Sequence, residues 1–206
     1  MRYAHGMNVA DQLPRIFQAN IDRLYRRVIV VTLDQLPAHN PPVVGETSSM
    51  DEFLARCAAQ VDNHTANEAA KAFALTLDGL FERQLCRWAH AHGEQAGSME
   101  TALPACVRIG GLDLAATGMA DDLKELHLVA NVVRHGEGRS CKELQAIAPL
   151  LWDSTSLDYY DLAPAPTPVS EMLRIRAGDI LRYARGIGRF WGHLDPLPMA
   201  VLDPPY

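Results

Sequence analysis

The sequence predicts an all-α fold, a single-domain helical bundle of five or six helices with a long irregular connection and a Pro-rich C-terminal tail. Apolar residues recur at steps of three and four along most of the chain, which is the period of a helix. The alternation of apolar and polar residues that is typical of strands is almost absent. At 206 residues and 48% hydrophobic, the chain can bury one core without a disulfide or a metal. We therefore expect one helical domain over residues 1–206.

The first helix is predicted over about Val9 to Leu33, where the apolar stripe is continuous. Its β-branched run Val28 to Val31 could form a short strand, and we interpret it as the end of the helix because the stripe continues through it. Pro14 lies early enough to be tolerated near a first turn. Residues 37–46, with two adjacent prolines and a glycine, are predicted to form a loop.

Two capping boxes predict helix starts at Ser49, which precedes Glu52, and at Thr65, which precedes Glu68. The stripe that follows ends near Gly93, and it fits either two helices or one bent helix. From residue 97 to residue 118 a proline and paired glycines interrupt the stripe. This interruption predicts the irregular connection.

The most strongly patterned helix is predicted from Met119 to His135, ended by glycines that suit the left-handed conformation after a helix. A third capping box, Ser140 with Glu143, predicts a short helix to about Leu151.

The C-terminal part is predicted to alternate between extended segments and one helix. Residues 163–168, with the sequence A-P-A-P-T-P, should form a polyproline-like arm. Asp179 is predicted to cap a last helix that continues to about Leu194. Two glycines inside that helix, Gly186 and Gly188, are unfavourable relative to alanine, which indicates close packing or an early helix end. Residues 195–206 contain four prolines and should form an extended segment without helix.

A polar seam on the helix from Met119 to His135 is the most informative feature of the sequence. His127, Asn131 and His135 are spaced i, i+4 and i+8 on a helix that is otherwise apolar on two sides. Such polar groups are either satisfied by neighbouring protein atoms or directed into a cleft. In the functional interpretation His135 is an acid–base group and Arg134 supplies positive charge, although both also fit the negative end of a helix dipole.

Two segments resemble the HEPN superfamily of helical bacterial proteins. They read F-E-R-Q-L over residues 81–85 and A-N-V-V-R-H-G over residues 130–136. Many HEPN proteins are dimeric, metal-independent endoribonucleases of toxin–antitoxin or phage-defence systems, and their motif has an arginine, an adjacent polar residue and a following histidine. Asn131 and His135 match the polar residue and the histidine, whereas Ala130 stands where the arginine belongs.

The resemblance implies that RNA is the substrate, that the chain forms a homodimer and that a cognate antitoxin or another partner protein binds it. Arg134 or Arg83 would then supply the missing charge, with His127 and Glu82 as further candidate support residues. The alternative is a non-catalytic helical interaction or regulatory module that kept the scaffold and lost the arginine.

A second candidate RNA-binding feature is a basic face on the last helix, formed by Arg182, Arg185 and Arg189. It could equally be a solvated face paired with acids such as Asp179 and Glu171. The net charge of −6 argues against extensive wrapping of nucleic acid and leaves a local basic site open.

Neither a metal site nor a cofactor motif is predicted. His90 and His92 have no further ligand at the spacing of a zinc site, and the Gly-rich pairs lack the context of a phosphate loop. The four cysteines show no C-x-x-C pairing, which is typical of reduced thiols. Residues 1–12 lack the apolar core of a signal peptide and no run is long enough to span a membrane, so a cytoplasmic location is the expectation.

Overall fold

The computed structural model describes residues 9–37, 49–152 and 168–206, and within them the chain forms helices and no strand. This confirms the prediction of an all-α bundle. The helices are α1 (Val9–Leu24), α2 (Val30–Gln35), α3 (Met50–Ala91), α4 (Met99–Gly110), α5 (Leu114–Thr117), α6 (Ala120–His135), α7 (Arg139–Ile147) and α8 (Ala177–His193).

The first helix continues through the β-branched run, as predicted. A π-helical turn, Tyr25–Ile29, joins α1 to α2, and the backbone N–H of Val30 donates to the carbonyl of Tyr25. Ile21, Tyr25 and Ile29 are all buried, so one face of the helix stays in the core across the turn.

Of the two capping boxes predicted at Ser49 and Thr65, only the first caps a helix, so this part of the chain forms one helix rather than two. The Ser49 side chain accepts a hydrogen bond from the backbone N–H of Glu52, so α3 begins where predicted. The Thr65 hydroxyl instead donates to the carbonyl of Val61 inside the helix. α3 therefore runs unbroken for 42 residues, which is about 63 Å at the helical rise.

The irregular connection predicted over residues 97–118 is wrong, because this segment forms α4 and α5. The hydroxyl of Thr101 accepts from the backbone N–H of Ser98, an N-terminal cap that uses Thr in place of the usual Glu. Ala102, Ala105 and Cys106 bury one face of α4 in the core. These two helices also raise the number of helices above the predicted five or six.

The starts of α7 and α8 differ slightly from the prediction. Gly138, not Ser140, precedes α7, and Glu143 pairs instead with the Lys124 ammonium of α6 at 2.8 Å. A 3₁₀ turn, Pro149–Trp152, follows α7. Asp179 lies in the first turn of α8, where its carboxylate accepts from the backbone N–H of Arg176 at 3.0 Å. In the predicted arm, residues 163–167 lie outside the described ranges.

The core surrounds α8, which packs against α1, α3 and α6. Trp191 and Phe190 of α8 are fully buried and make edge-to-face contacts with Phe81 of α3. Phe17 of α1 also contacts Trp191, with ring centroids 4.9 Å apart. This packing places α3 directly beside α6, and the candidate site lies between those two helices.

Residues 195–206 contain no helix and lie along α1 and α8. The Arg15 guanidinium donates to Asp195 at 2.8 Å, and the Gln18 amide donates to the carbonyl of Val201 at 2.6 Å. A Cβ at Gly188 would lie 2.9 Å from Pro204. The close packing that the two glycines indicated is therefore made with this segment at Gly188 and with α6 at Gly186, where a Cβ would lie 3.4 Å from the Cβ of Asp122.

Gly192→Ala is expected to lower the free energy of unfolding by about 1–3 kcal/mol, because a Cβ there would overlap the carbonyl oxygen of Val201. The matched control is Gly178→Ala in the first turn of the same helix, where a Cβ meets nothing within 4 Å. That control should be neutral or slightly stabilising. Urea unfolding of both variants measures the difference, and equal stabilities would contradict this account of the glycine.

Candidate functional site

A buried carboxylate, Asp78, is the centre of the polar cluster between α3 and α6. Its relative exposure is 0%, although it lies between Leu77 and Phe81 on the apolar face of α3. One carboxylate oxygen is 3.1 Å from Nδ1 of His127, and the other accepts from the guanidinium of Arg134 at 3.1 Å. One acidic side chain therefore holds two basic side chains of α6.

Both ring nitrogens of His127 have polar neighbours. In the neutral ring, Nδ1–H donates to Asp78 and Nε2 accepts from the amide of Asn131 at 3.2 Å. A carboxylate oxygen of Glu100, from the first turn of α4, lies 3.8 Å from the same Nε2. These hydrogen bonds fix the orientation of the ring. The side chain of His127 is 21% exposed, so solvent can still reach it.

The surroundings of His127 raise its pKa above the usual value, chiefly through the hydrogen bond to Asp78. The charges of Asp78, Glu100 and Glu82 act in the same direction, and burial opposes them. A histidine whose partner carboxylate fixes its tautomer is suited to accept a proton at Nε2 and to return it.

Three of the candidate residues are brought together and one is not. His127 and Asn131 are hydrogen-bonded to each other, and Arg134 turns back to Asp78. His135, to which the sequence assigns the acid–base role, is exposed at the end of α6. Its side chain has no hydrogen-bond partner within the described ranges.

The two candidates on α3 lie near the same cluster. A Cβ built on Gly79 would be 3.3 Å from Nη1 of Arg83 and 3.8 Å from Nη2 of Arg134, so both guanidinium groups lie over this glycine. Glu82 contributes to the raised pKa of His127. Charged side chains of α3 therefore lie close to His127 and Arg134 of α6.

Asp78 and Glu100 were missed by the sequence reasoning. For Asp78 a signal existed, because a charged residue follows the buried Leu77 and precedes the buried Phe81 by one turn. Glu100 carried no such signal, since it lies in the segment that was predicted to be irregular.

The basic face of α8 is compensated by acidic residues. The Arg182 guanidinium donates to Glu125 at 2.5 Å, to Asp122 at 2.8 Å and to Asp179 at 3.3 Å. The buried Tyr183 hydroxyl donates to the same Glu125 at 2.6 Å, and burial raises the pKa of Tyr183, so this hydroxyl stays a donor. This cluster is an internal network of ion pairs and hydrogen bonds.

Arg185 and Arg189 share a further acid, Asp203 from the C-terminal segment. Arg185 pairs with both carboxylate oxygens, at 3.0 and 2.7 Å, and Arg189 approaches one of them at 3.8 Å. Arg189 also donates to the carbonyl of Thr117 at 2.8 Å. Nearby carboxylates thus reduce the positive charge that this face offers to RNA.

No protein-family model, curated protein or solved structure matches this chain. The functional assignment therefore depends on the residues and their geometry. Over residues 9–37, 49–152 and 168–206, no three His, Cys, Asp or Glu side chains are placed to hold a metal ion. Across the same ranges, every helix is too short or too polar to cross a membrane.

Asp78→Asn is expected to lower the pKa of His127, because the substitution removes the negative charge behind the largest upward effect. Since the folded-state pKa is raised, protonated His127 stabilises the fold below about pH 6.5, and this contribution is lost as the pH rises through the folded-state value. NMR titration of the imidazole measures the shift. An unchanged pKa of His127 would contradict the proposed pairing.

Proposed function

We propose that the protein is a metal-independent endoribonuclease whose catalytic residues lie between α3 and α6. The observation that carries the proposal is the bridge made by Asp78, which holds an oriented histidine and an arginine on one side of α6. Proton transfer and charge stabilisation are the two functions that RNA cleavage without a metal requires of side chains.

In the proposed reaction His127 acts as the base. When a ribose 2′-hydroxyl replaces the Asn131 amide as the partner of Nε2, the neutral ring accepts the hydroxyl proton there, and the 2′-oxygen attacks the adjacent phosphorus. The bond from phosphorus to the 5′-oxygen breaks, and that oxygen takes a proton from water or from a protonated group such as His135. The products are a 2′,3′-cyclic phosphate and a 5′-hydroxyl end, while Arg134 stabilises the charge that develops on the phosphate.

The biological setting belongs to the same proposal. A cytoplasmic ribonuclease of a toxin–antitoxin or phage-defence system would act as a homodimer and would have a cognate antitoxin as its partner. The resemblance to HEPN proteins in residues 81–85 and 130–136 supports this setting.

A non-catalytic helical interaction module is the second candidate, and Ala130 favours it. The exposure of Ala130 is 0%, so the position that holds the motif arginine in HEPN proteins is here filled by a small core residue. Under this alternative the cluster around Asp78 stabilises the packing of α3 against α6 and has no substrate.

The test is incubation of the purified protein with mixed RNA in the presence of a metal chelator. Wild type should produce fragments with cyclic phosphate ends, and the double variant His127→Ala/His135→Ala should not. Arg87→Ala, an exposed arginine of α3, is the control that should cleave at the wild-type rate. Wild type without cleavage would reject the proposal in favour of the interaction module, and an active double variant would exclude both histidines as catalysts.

A further inference from the structure

Gly79 occupies an interior position of α3, where alanine would favour the helix more. Its conformation is helical, without the positive φ that would require glycine. A Cβ at this position would meet only side-chain nitrogens of Arg83 and Arg134 within 4 Å. No neighbouring backbone needs the space, in contrast to Gly192, so helix packing does not explain this glycine.

The two guanidinium groups over Gly79 differ in their partners. Arg134 is paired with Asp78 at 3.1 Å. In the part of the chain that the structure describes, the Arg83 side chain has no hydrogen bond and no carboxylate within ion-pair distance. Two cations therefore converge on one surface while only one of them has its charge compensated locally.

We propose that Arg83 and Arg134 bind one phosphodiester group of RNA over Gly79. Planar guanidinium groups donate in pairs to phosphate oxygens, and the absent side chain lets both groups lie close to the helix, where they can face one phosphate. Asp78 orients both Arg134 and His127, so the bound group would lie next to the acid–base residue. The inference deepens the proposed function and rests on it for the choice of RNA as ligand.

Binding is measured with a fluorescein-labelled uridine 12-mer in which every 2′-hydroxyl is methylated, so that it cannot be cleaved through that oxygen. Arg83→Ala should weaken binding about tenfold and reduce the slope of log K against log salt concentration by about 0.7. Arg87→Ala, one turn further along α3 and exposed, should change the affinity less than twofold.

Gly79→Ala separates a binding role from a structural one. The alanine favours the helix, so the melting temperature should stay the same or rise, while its methyl group, 3.3 Å from Arg83, should weaken RNA binding severalfold. Wild-type affinity in both Gly79→Ala and Arg83→Ala would overturn the inference. Binding of inorganic phosphate without binding of the methylated RNA would overturn the assignment to RNA.

The inference and the proposed function can fail separately. Binding of methylated RNA that depends on Arg83, without cleavage of natural RNA, would leave the phosphate site standing and reject the ribonuclease. Cleavage that depends on His127 but is unaffected by Arg83→Ala and Gly79→Ala would support the ribonuclease and reject the phosphate site.

Discussion

His127→Ala is expected to lower RNA cleavage by about a hundredfold or more, the scale on which a general acid–base group contributes. The sequence assigned this role to His135, which matches the histidine of the HEPN motif. His127 is the better candidate in the folded chain because Asp78 orients its ring and because its side chain stays 21% exposed. His135→Ala should therefore reduce cleavage much less, unless His135 donates the proton to the leaving oxygen.

The pH dependence adds a second measurement of the same assignment. The raised pKa of His127 means that its neutral, basic form accumulates at a higher pH than that of an ordinary histidine. The rate should therefore rise with pH in wild type, and Asp78→Asn should move that rise to lower pH. A pH profile that His127→Ala leaves unchanged, with cleavage lost only in His135→Ala, would return the catalytic role to His135.

Both single variants need a check of the fold, because His127 contacts a buried carboxylate. His127→Gln is the conservative companion, since its amide can still donate to Asp78 but cannot transfer a proton near neutral pH. Loss of cleavage in His127→Gln with a wild-type circular dichroism spectrum would assign the loss to chemistry rather than to unfolding.

The parts of the fold that the sequence predicts well are those specified by hydrophobic periodicity and by the residues at helix ends. The stripes of α1, α6 and α8 are local patterns. Gly136 follows α6 with a positive φ of 71°, although its ψ of −139° lies outside the left-handed helical region that was predicted. α4 was not predicted because its cap uses Ser98 and Thr101 and because Pro104 was interpreted as a helix break. Pro104 lies on the exposed side of a helix whose opposite face is buried, where water can hydrate the carbonyl that loses its N–H partner.

The spacing of residues along α6 predicted its side of the site, whereas the central acid on α3, Asp78, was not predicted. His127, Asn131 and Arg134 follow from spacing along one helix, whereas Asp78 reaches His127 across 49 residues of sequence. Pairing between helices depends on how far each helix is rotated and shifted against the other, which periodicity does not specify. The same limit applies to the acids that neutralise Arg182 and Arg185, since Glu125 and Asp203 come from other segments.

Trp191→Ala is expected to lower the free energy of unfolding by about 3–5 kcal/mol, the largest effect on stability among these predictions. Trp191 is fully buried, and its ring contacts aromatic side chains of α1, α3 and α8. Removing it leaves a cavity at the point where those three helices meet. Trp152→Ala is the control and should cost much less, because Trp152 is only partly buried and is not among the aromatic side chains that contact the Trp191 ring. Equal losses in urea unfolding would contradict the central position of Trp191.

The hydrogen bond of Trp191 can be separated from its packing by a double-mutant cycle with Gln84. The indole N–H donates to the Gln84 side-chain oxygen at 2.8 Å, and the amide nitrogen of Gln84 is buried without a partner within the described ranges. Trp191→Phe keeps an aromatic ring but leaves that oxygen unsatisfied, which should cost about 1–3 kcal/mol in addition to lost packing. Gln84→Met alone leaves the indole N–H of Trp191 without an acceptor, whereas combining it with Trp191→Phe removes both polar partners. The double variant should therefore be more stable than the sum of the single losses implies, and strict additivity would show that the bond contributes nothing specific.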